Sequence, residues 1–276
     1  MKLYKLANGV VIENNAGKTY FKTITNWDNY INRDDLYTFL NSEIAGLDEV
    51  NDSFLASIQA PIQTQEVWAA GVTYMRSRDA RMEESEEKAG ATFYDLVYEA
   101  ERPEIFFKAT AQRVVGTHQQ VRIRKDSTWD VPEPELTLVI TSNAKIVGYT
   151  IGNDMSSRSI EGQNPLYLPQ AKVFEKCAAL GPCIYVPENP LPADTKISIS
   201  IVRDTAVMYS ESVAISQMKR KHQELVDFLF RECDFPYGCF LMTGTCMVPP
   251  NDFTLQSNDE ITITIDHIGT LKNTVQ

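Results

Sequence analysis

Val131-Pro132-Glu133-Pro134-Glu135-Leu136-Thr137-Leu138-Val139-Ile140 is the stretch on which the reading of this chain turns. It joins two acids to an unbroken apolar run of the kind found in strands buried on both faces. Side chains at i and i+2 of an extended segment point the same way, so Glu133 and Glu135 present their carboxylates together. A second strand signal, Tyr149-Thr150-Ile151, runs into Gly152-Asn153-Asp154 and brings a third acid to a strand end. Singly, Glu-x-Glu at a strand start is usually a solvated edge, and Asp after Gly-Asn a turn residue. The apolar flanks shift that balance, because acids at the ends of buried strands need a counter-charge. Three oxygen donors suit a hard cation, Mg²⁺, Mn²⁺ or Ca²⁺, and leave positions open for water or a chelating substrate.

The 276 residues are 43% hydrophobic and 23% charged, ample for a sizeable core. A formal net charge of -11, with 37 acidic residues, argues against a nucleic-acid binder. The nearest basic run, Arg122-Ile123-Arg124-Lys125, reads as a hairpin edge. No apolar run reaches the roughly 18 residues of a membrane-spanning helix. The start, Met1-Lys2-Leu3-Tyr4-Lys5-Leu6, meets a polar turn at Asn8-Gly9 without the apolar core of a secretory signal, so the expected location is the cytoplasm. The five cysteines, Cys177, Cys183, Cys233, Cys239 and Cys246, are odd in number and form no Cys-x-x-Cys pair. They read as reduced thiols that pack as small apolar residues. The expected partner is a small-molecule substrate, with no nucleic acid and no membrane.

Residues 1–60 are expected to form a small N-terminal α+β domain, with a hairpin about Asn8-Gly9 and a helix over 34–40 capped by Asn32 or Asp34. A linker over 59–65 leads to a buried strand over 67–72. From Tyr74 to Ala100 the chain turns helical and strongly charged, which reads as a solvated helix or as a cover over a site. Strands follow over 105–107, 120–123, 136–140, 146–151, 196–202 and 261–266, with a helix over 216–230. The fold class is strand-rich α+β, with a catalytic domain over 61–276.

Seven elements then occur in one order: Pro103-Glu104-Ile105-Phe106-Phe107-Lys108, Glu133-Pro134-Glu135-Leu136, Gly148 to Asp154, Gln170-Ala171-Lys172, Leu180-Gly181-Pro182, Thr243-Gly244-Thr245 and Ile268 to Asn273. In that order they resemble the fumarylacetoacetate hydrolase superfamily over about residues 66–275. The resemblance implies a mixed β-roll, a Mg²⁺ ion (Mn²⁺ or Ca²⁺ as alternatives) held by Glu133, Glu135 and Asp154, and a homodimer or homotetramer.

One departure decides the branch. Hydrolases of the superfamily carry Asn-Tyr-x-x-His after the first buried strand, and that imidazole activates water. Here the run is Thr73-Tyr74-Met75-Arg76-Ser77. The three histidines, His118, His222 and His267, lie elsewhere and read as surface or structural residues. The run Gly71 to Arg81, together with Lys219-Arg220 and Leu241 to Thr245, resembles the dehydratase branch instead. That likeness implies Lys172 and Glu104 as catalytic residues and Ser77, Arg78, Arg158 and Thr245 as substrate-binding ones. Outside this constellation Glu104 would be a surface acid after a Pro turn, Lys172 a snorkelling lysine, and Arg158 a salt-bridge partner of Glu161. Backbone N–H groups over 243–245 are expected to receive a substrate carboxylate.

The implied activity is Mg²⁺-dependent dehydration of a 2-keto-3-deoxy sugar acid, of the 2-keto-3-deoxy-D-arabinonate type, to 2,5-dioxopentanoate by metal-stabilised enolate formation. Lys172 and Glu104 share the base and acid roles, without a sequence signal that separates them. The alternatives are a hydrolase or decarboxylase of a diketo acid, and a metal-stabilised binding or scaffold protein. The first lacks its imidazole, and the second lacks further protein ligands to close the ion.

Overall fold

The computed structural model describes residues 1–84 and 95–276, apart from the side chains at 78, 80, 81, 83 and 84. Among the described residues an eleven-stranded mixed sheet forms the body of the chain. Its spatial order is Glu49–Val50, Thr19–Thr23, Gly9–Glu13, Lys2–Lys5, Ala178–Tyr185, Ile146–Asp154, Pro134–Ile140, Cys239–Met242, Glu66–Gly71 and Glu104–Thr110, with Val114–Val115 beside Ala178–Tyr185. A five-stranded sheet runs Ala206–Ala214, Lys196–Arg203, Glu260–Ile265, Gly269–Val275 and Gln120–Val121.

The side-chain period of two explains how these layers stack. Along the central strand Leu136, Leu138 and Ile140 join the core shared with Ile197, Ile199, Ile261, Ile263 and Ile265 of the five-stranded sheet. Val139 faces the other way, into a second core with Trp27, Tyr30, Leu36 and Leu40 from the helices Trp27–Ile31 and Leu36–Ile44. The sheet is therefore covered on both faces, which is why its central strands read as continuous apolar runs.

The hairpin expected about Asn8-Gly9 pairs Leu3 with Ile12 and Tyr4 with Val11. The helix expected over 34–40 runs Leu36–Ile44 behind Asp35. Strands drawn from residues 1–60 and from the rest of the chain meet where Leu3 pairs with Ile184, so a single sheet passes through the expected boundary near residue 60. The helix expected over 216–230 is shorter, His222–Leu229. Its first part is instead pinned to the strand-turn ahead of it: Lys219 N donates to Thr73 O at 2.9 Å, and Met218 bridges Tyr74. Of the charged stretch expected to be helical after Tyr74, Met75–Glu84 and residues 95–99 are helical, and residues 85–94 lie outside the described residues.

Candidate active site

Antiparallel pairing sets Glu135 opposite Gly152 and Pro134 opposite Asn153, so the ends of two neighbouring strands carry the three acids to one place. One carboxylate oxygen each from Glu133, Glu135 and Asp154 lies within 4.8 Å of the others, and all three residues are buried. Asp154 N donates to Glu133 O at 2.9 Å, which locks the two ligand-bearing segments together. Burial holds the Glu135 carboxyl well above the usual carboxylate range, and the charges of Asp154 and Glu133 push the same way. Gly244 N, 2.6 Å from Glu135 Oε2, and the Lys172 charge oppose that shift. A buried, all-oxygen donor set with this much mutual repulsion fits a hard divalent cation.

Three cations surround the acids. Lys172 Nζ, at the end of the short helix Leu168–Lys172, lies 2.5 Å from Glu133 Oε2, 3.0 Å from Asp154 Oδ2 and 2.6 Å from Ser156 Oγ. Arg158 Nη2 meets Glu133 Oε1 at 2.5 Å while its Nη1 meets Glu161 Oε2 at 3.0 Å. Lys108 Nζ meets Asp154 Oδ1 at 2.5 Å. Fully ionised, Glu133, Glu135, Asp154 and Glu161 outweigh Lys108, Arg158 and Lys172 by one negative charge, so a divalent cation leaves the cluster with one positive charge to meet an anionic ligand.

A pocket opens onto this cluster, lined further by Gly71, Val72, Ser77, Phe106, Gly244 and Thr245. Glu104 pairs with Gly71 across two strands, and a Cβ at position 71 would collide with the Glu104 carboxylate. Glycine is thus what lets Glu104 lie against the cavity wall. Val72 follows with φ of 52°, a strained value for a β-branched residue, at the turn into the helix Met75–Glu84. Ser77 Oγ donates to Tyr74 O at 2.7 Å and accepts from Tyr74 N at 3.1 Å, fixing the first turn of that helix. Thr245 Oγ1 accepts from Met247 N at 3.2 Å.

The structure brings Lys172, Ser77, Arg158 and Thr245 to the cavity beside the acid triad, with Glu104 behind Gly71. The side chain of Arg78 lies outside the described residues. The Gly244 amide, expected to face a substrate carboxylate, is used by Glu135 instead, because a φ of +97° turns it towards that strand. Lys219 and Arg220 do not line the cavity. They grip carbonyls of the segment that precedes Glu104: Lys219 Nζ donates to Tyr98 O at 2.7 Å and Arg220 Nη1 to Glu101 O at 3.0 Å. None of the three histidines lines the cavity: His118 and His267 are exposed, and half-buried His222 has its pKa lowered by burial. Sequence reasoning missed Lys108 and Ser156. Lys108 sits among apolar neighbours in the strand Glu104–Thr110, but that setting does not say which acid it meets.

A mixed sheet that delivers three buried carboxylates and a lysine to one pocket defines a metal-assisted enzyme. The chain belongs to the fumarylacetoacetate hydrolase family: the family described as "Fumarylacetoacetate (FAA) hydrolase C-terminal" matches residues 82–276. It is 47% identical over 230 residues to a probable 2-keto-3-deoxyxylonate dehydratase of Haloferax volcanii, covering 83% of this chain and 78% of that one. It is 43% identical over 244 residues to the 2-dehydro-3-deoxy-D-arabinonate dehydratase of Saccharolobus solfataricus, covering 84% and 80%. A solved 2-keto-3-deoxy-D-arabinonate dehydratase complexed with magnesium and 2,5-dioxopentanoate superposes with a TM-score of 0.86 at 35% identity, covering 100% of this chain and 99% of that one.

Proposed function

We propose that this chain dehydrates a 2-keto-3-deoxy sugar acid of the 2-keto-3-deoxy-D-arabinonate type to 2,5-dioxopentanoate, with Mg²⁺ held by Glu133, Glu135 and Asp154. The observation that carries the reading is Lys172 Nζ, which touches two acids of the triad inside a cavity with no imidazole on its wall. When bound, Mg²⁺ supplies Lewis-acid polarisation of the C2 carbonyl and offsets the negative charge that develops as C3 loses its proton.

The rest falls to side chains. Lys172 and Glu104 are the pair that takes the C3 proton and protonates the departing C4 hydroxyl, so that water leaves and a C3–C4 double bond forms. A proton moved from C5 to C3 then gives the C4–C5 enol, which becomes the C5 aldehyde as its hydroxyl proton passes to C4. Lys172 reaches the cavity from the triad side, while Glu104 flanks Gly71 on the strand across it. Ser77, Arg78, Arg158 and Thr245 orient the polyol and carboxylate ends. Arg158 does so while holding Glu133 and Glu161, which fits a residue that supports both a ligand and the substrate. Assembly as a homodimer or homotetramer belongs to the same reading and is supported by the family resemblance.

Incubation with 2-keto-3-deoxy-D-arabinonate and Mg²⁺, followed by chemical trapping of aldehyde, tests the assignment. The expected product is 2,5-dioxopentanoate. Pyruvate released from an acylpyruvate, with no aldehyde from the sugar acid, would point to the hydrolase chemistry of the wider family instead.

A further inference from the structure

Lys108 is fully buried, on the strand Glu104–Thr110, and a buried ammonium persists only where its charge and its protons are met. Its Nζ donates to Met155 O at 2.9 Å and to Lys172 O at 2.5 Å, and stands in an ion pair 2.5 Å from Asp154 Oδ1. The ring of Phe174 closes over the ammonium at 5.6 Å. Buried, held by two carbonyls and a carboxylate, and absent from the pocket wall, this side chain does not reach a ligand in the cavity. It acts on the site only through Asp154 and through the backbone that carries Lys172.

That placement has a consequence for coordination. A carboxylate binds a cation through one oxygen or through both, and the choice fixes how many ligand positions remain. Small Mg²⁺ demands an octahedron with one oxygen per corner, whereas Ca²⁺ accepts bidentate carboxylates in a larger shell. Asp154 Oδ1 is ion-paired with Lys108 at 2.5 Å, while Oδ2 accepts from Lys172 Nζ at 3.0 Å. The other two contacts of Lys108 tie the chain just after Asp154 to the end of the helix Leu168–Lys172, whose last carbonyl has no partner within so short a helix.

We propose that Lys108 is a positioning residue that restricts Asp154 to a single donor oxygen, and that it thereby sets the site's preference for Mg²⁺ over Ca²⁺ and preserves the open positions a chelating 2-keto acid needs. The inference rests on the reading of Glu133, Glu135 and Asp154 as the metal ligands. Lys108→Met, a length-matched side chain without charge, frees Oδ1. Lys108→Arg keeps the charge but replaces a three-pronged donor with a planar fork.

The test is calorimetric titration of the wild-type protein, Lys108→Met and Lys108→Arg with Mg²⁺ and with Ca²⁺, in the absence of substrate. The expected result is that Lys108→Met still binds both ions and that its ratio of Ca²⁺ to Mg²⁺ affinity rises about tenfold or more, as a switch to bidentate binding would favour the larger ion. A merely structural lysine would lower both affinities together. An unchanged ratio overturns the proposal for Lys108 while leaving the triad in place. Absence of Mg²⁺ binding by the wild-type protein overturns the metal site itself, and with it this inference. If the variants do not fold, infrared difference spectra of wild-type protein labelled at aspartate carboxylates decide the matter. Mg²⁺ should then produce the wide splitting of carboxylate stretches that marks one-oxygen ligation, and a narrow, bidentate splitting would contradict the role given to Lys108.

Discussion

Lys172 Nζ lies 2.5 Å from Glu133 Oε2, with both side chains buried at the end of separate elements that the fold brings together. The contact is a charge-assisted hydrogen bond in a water-poor setting, so it orients the ammonium as well as neutralising the acid. Lys172→Met should therefore leave Mg²⁺ binding measurable by calorimetry while lowering kcat by about 10²–10⁴-fold, the usual weight of a positioned acid or base. A kcat equal to wild type would reduce Lys172 to a counter-charge.

Arg158 joins Glu133 to Glu161 at 2.5 and 3.0 Å, and all three are buried. Removing the guanidinium strands two buried carboxylates rather than deleting a surface pair. Arg158→Ala should cost about 3–5 kcal/mol of stability, the range for breaking a buried ion pair from one side. Urea unfolding measures this, and a loss below about 1 kcal/mol would place Arg158 among surface-type pairs.

Gly71 leaves the space that the Glu104 carboxylate fills. Gly71→Ala should displace Glu104 and cut kcat by about 10²-fold, the scale set by a misplacement near 1 Å. Mg²⁺ affinity should hold, since Glu104 is not one of the triad. Steady-state kinetics beside calorimetry separates these effects, and unchanged kcat would remove Glu104 from the chemistry.

Asp130 is buried and its carboxyl is pushed up to about 6 by that burial, from an ordinary value of 3.8. A raised folded-state pKa means the native chain holds this proton more tightly than the unfolded chain does. Stability from this group is full below about pH 3.8 and is lost as pH rises through about 6. Asp130→Asn should accordingly raise Tm relative to wild type above pH 6, with the two curves converging below pH 4. A Tm difference constant across that window would mean that Asp130 does not titrate as a buried acid.

Much of the fold was legible because the central strands are covered on both faces. Continuous runs such as Leu136 to Ile140 announce themselves, and the acids at their ends stand out against apolar flanks. Ala178–Tyr185 escaped notice because Gly181 and Pro182 interrupt it, a pattern that normally marks a break in a strand. The helix expected over 216–230 was overcalled because its apolar spacing continues through Met218. The backbone there is taken up by Thr73 and Tyr74, a tertiary pairing with no local signal. The triad could be read from pattern and resemblance together, yet Lys108 and Ser156 could not. Their importance lies in reaching Asp154 and Lys172 across the fold, and nothing in the spacing of their own strands encodes that reach.

The most direct measurement is product formation by metal-stripped protein as Mg²⁺ is added back, for the wild type and for Glu133→Gln. The account predicts no 2,5-dioxopentanoate without metal, recovery that saturates at one Mg²⁺ per chain, and no recovery in the variant at matched Mg²⁺. Turnover of the sugar acid in metal-free buffer, or full activity of Glu133→Gln, would contradict it.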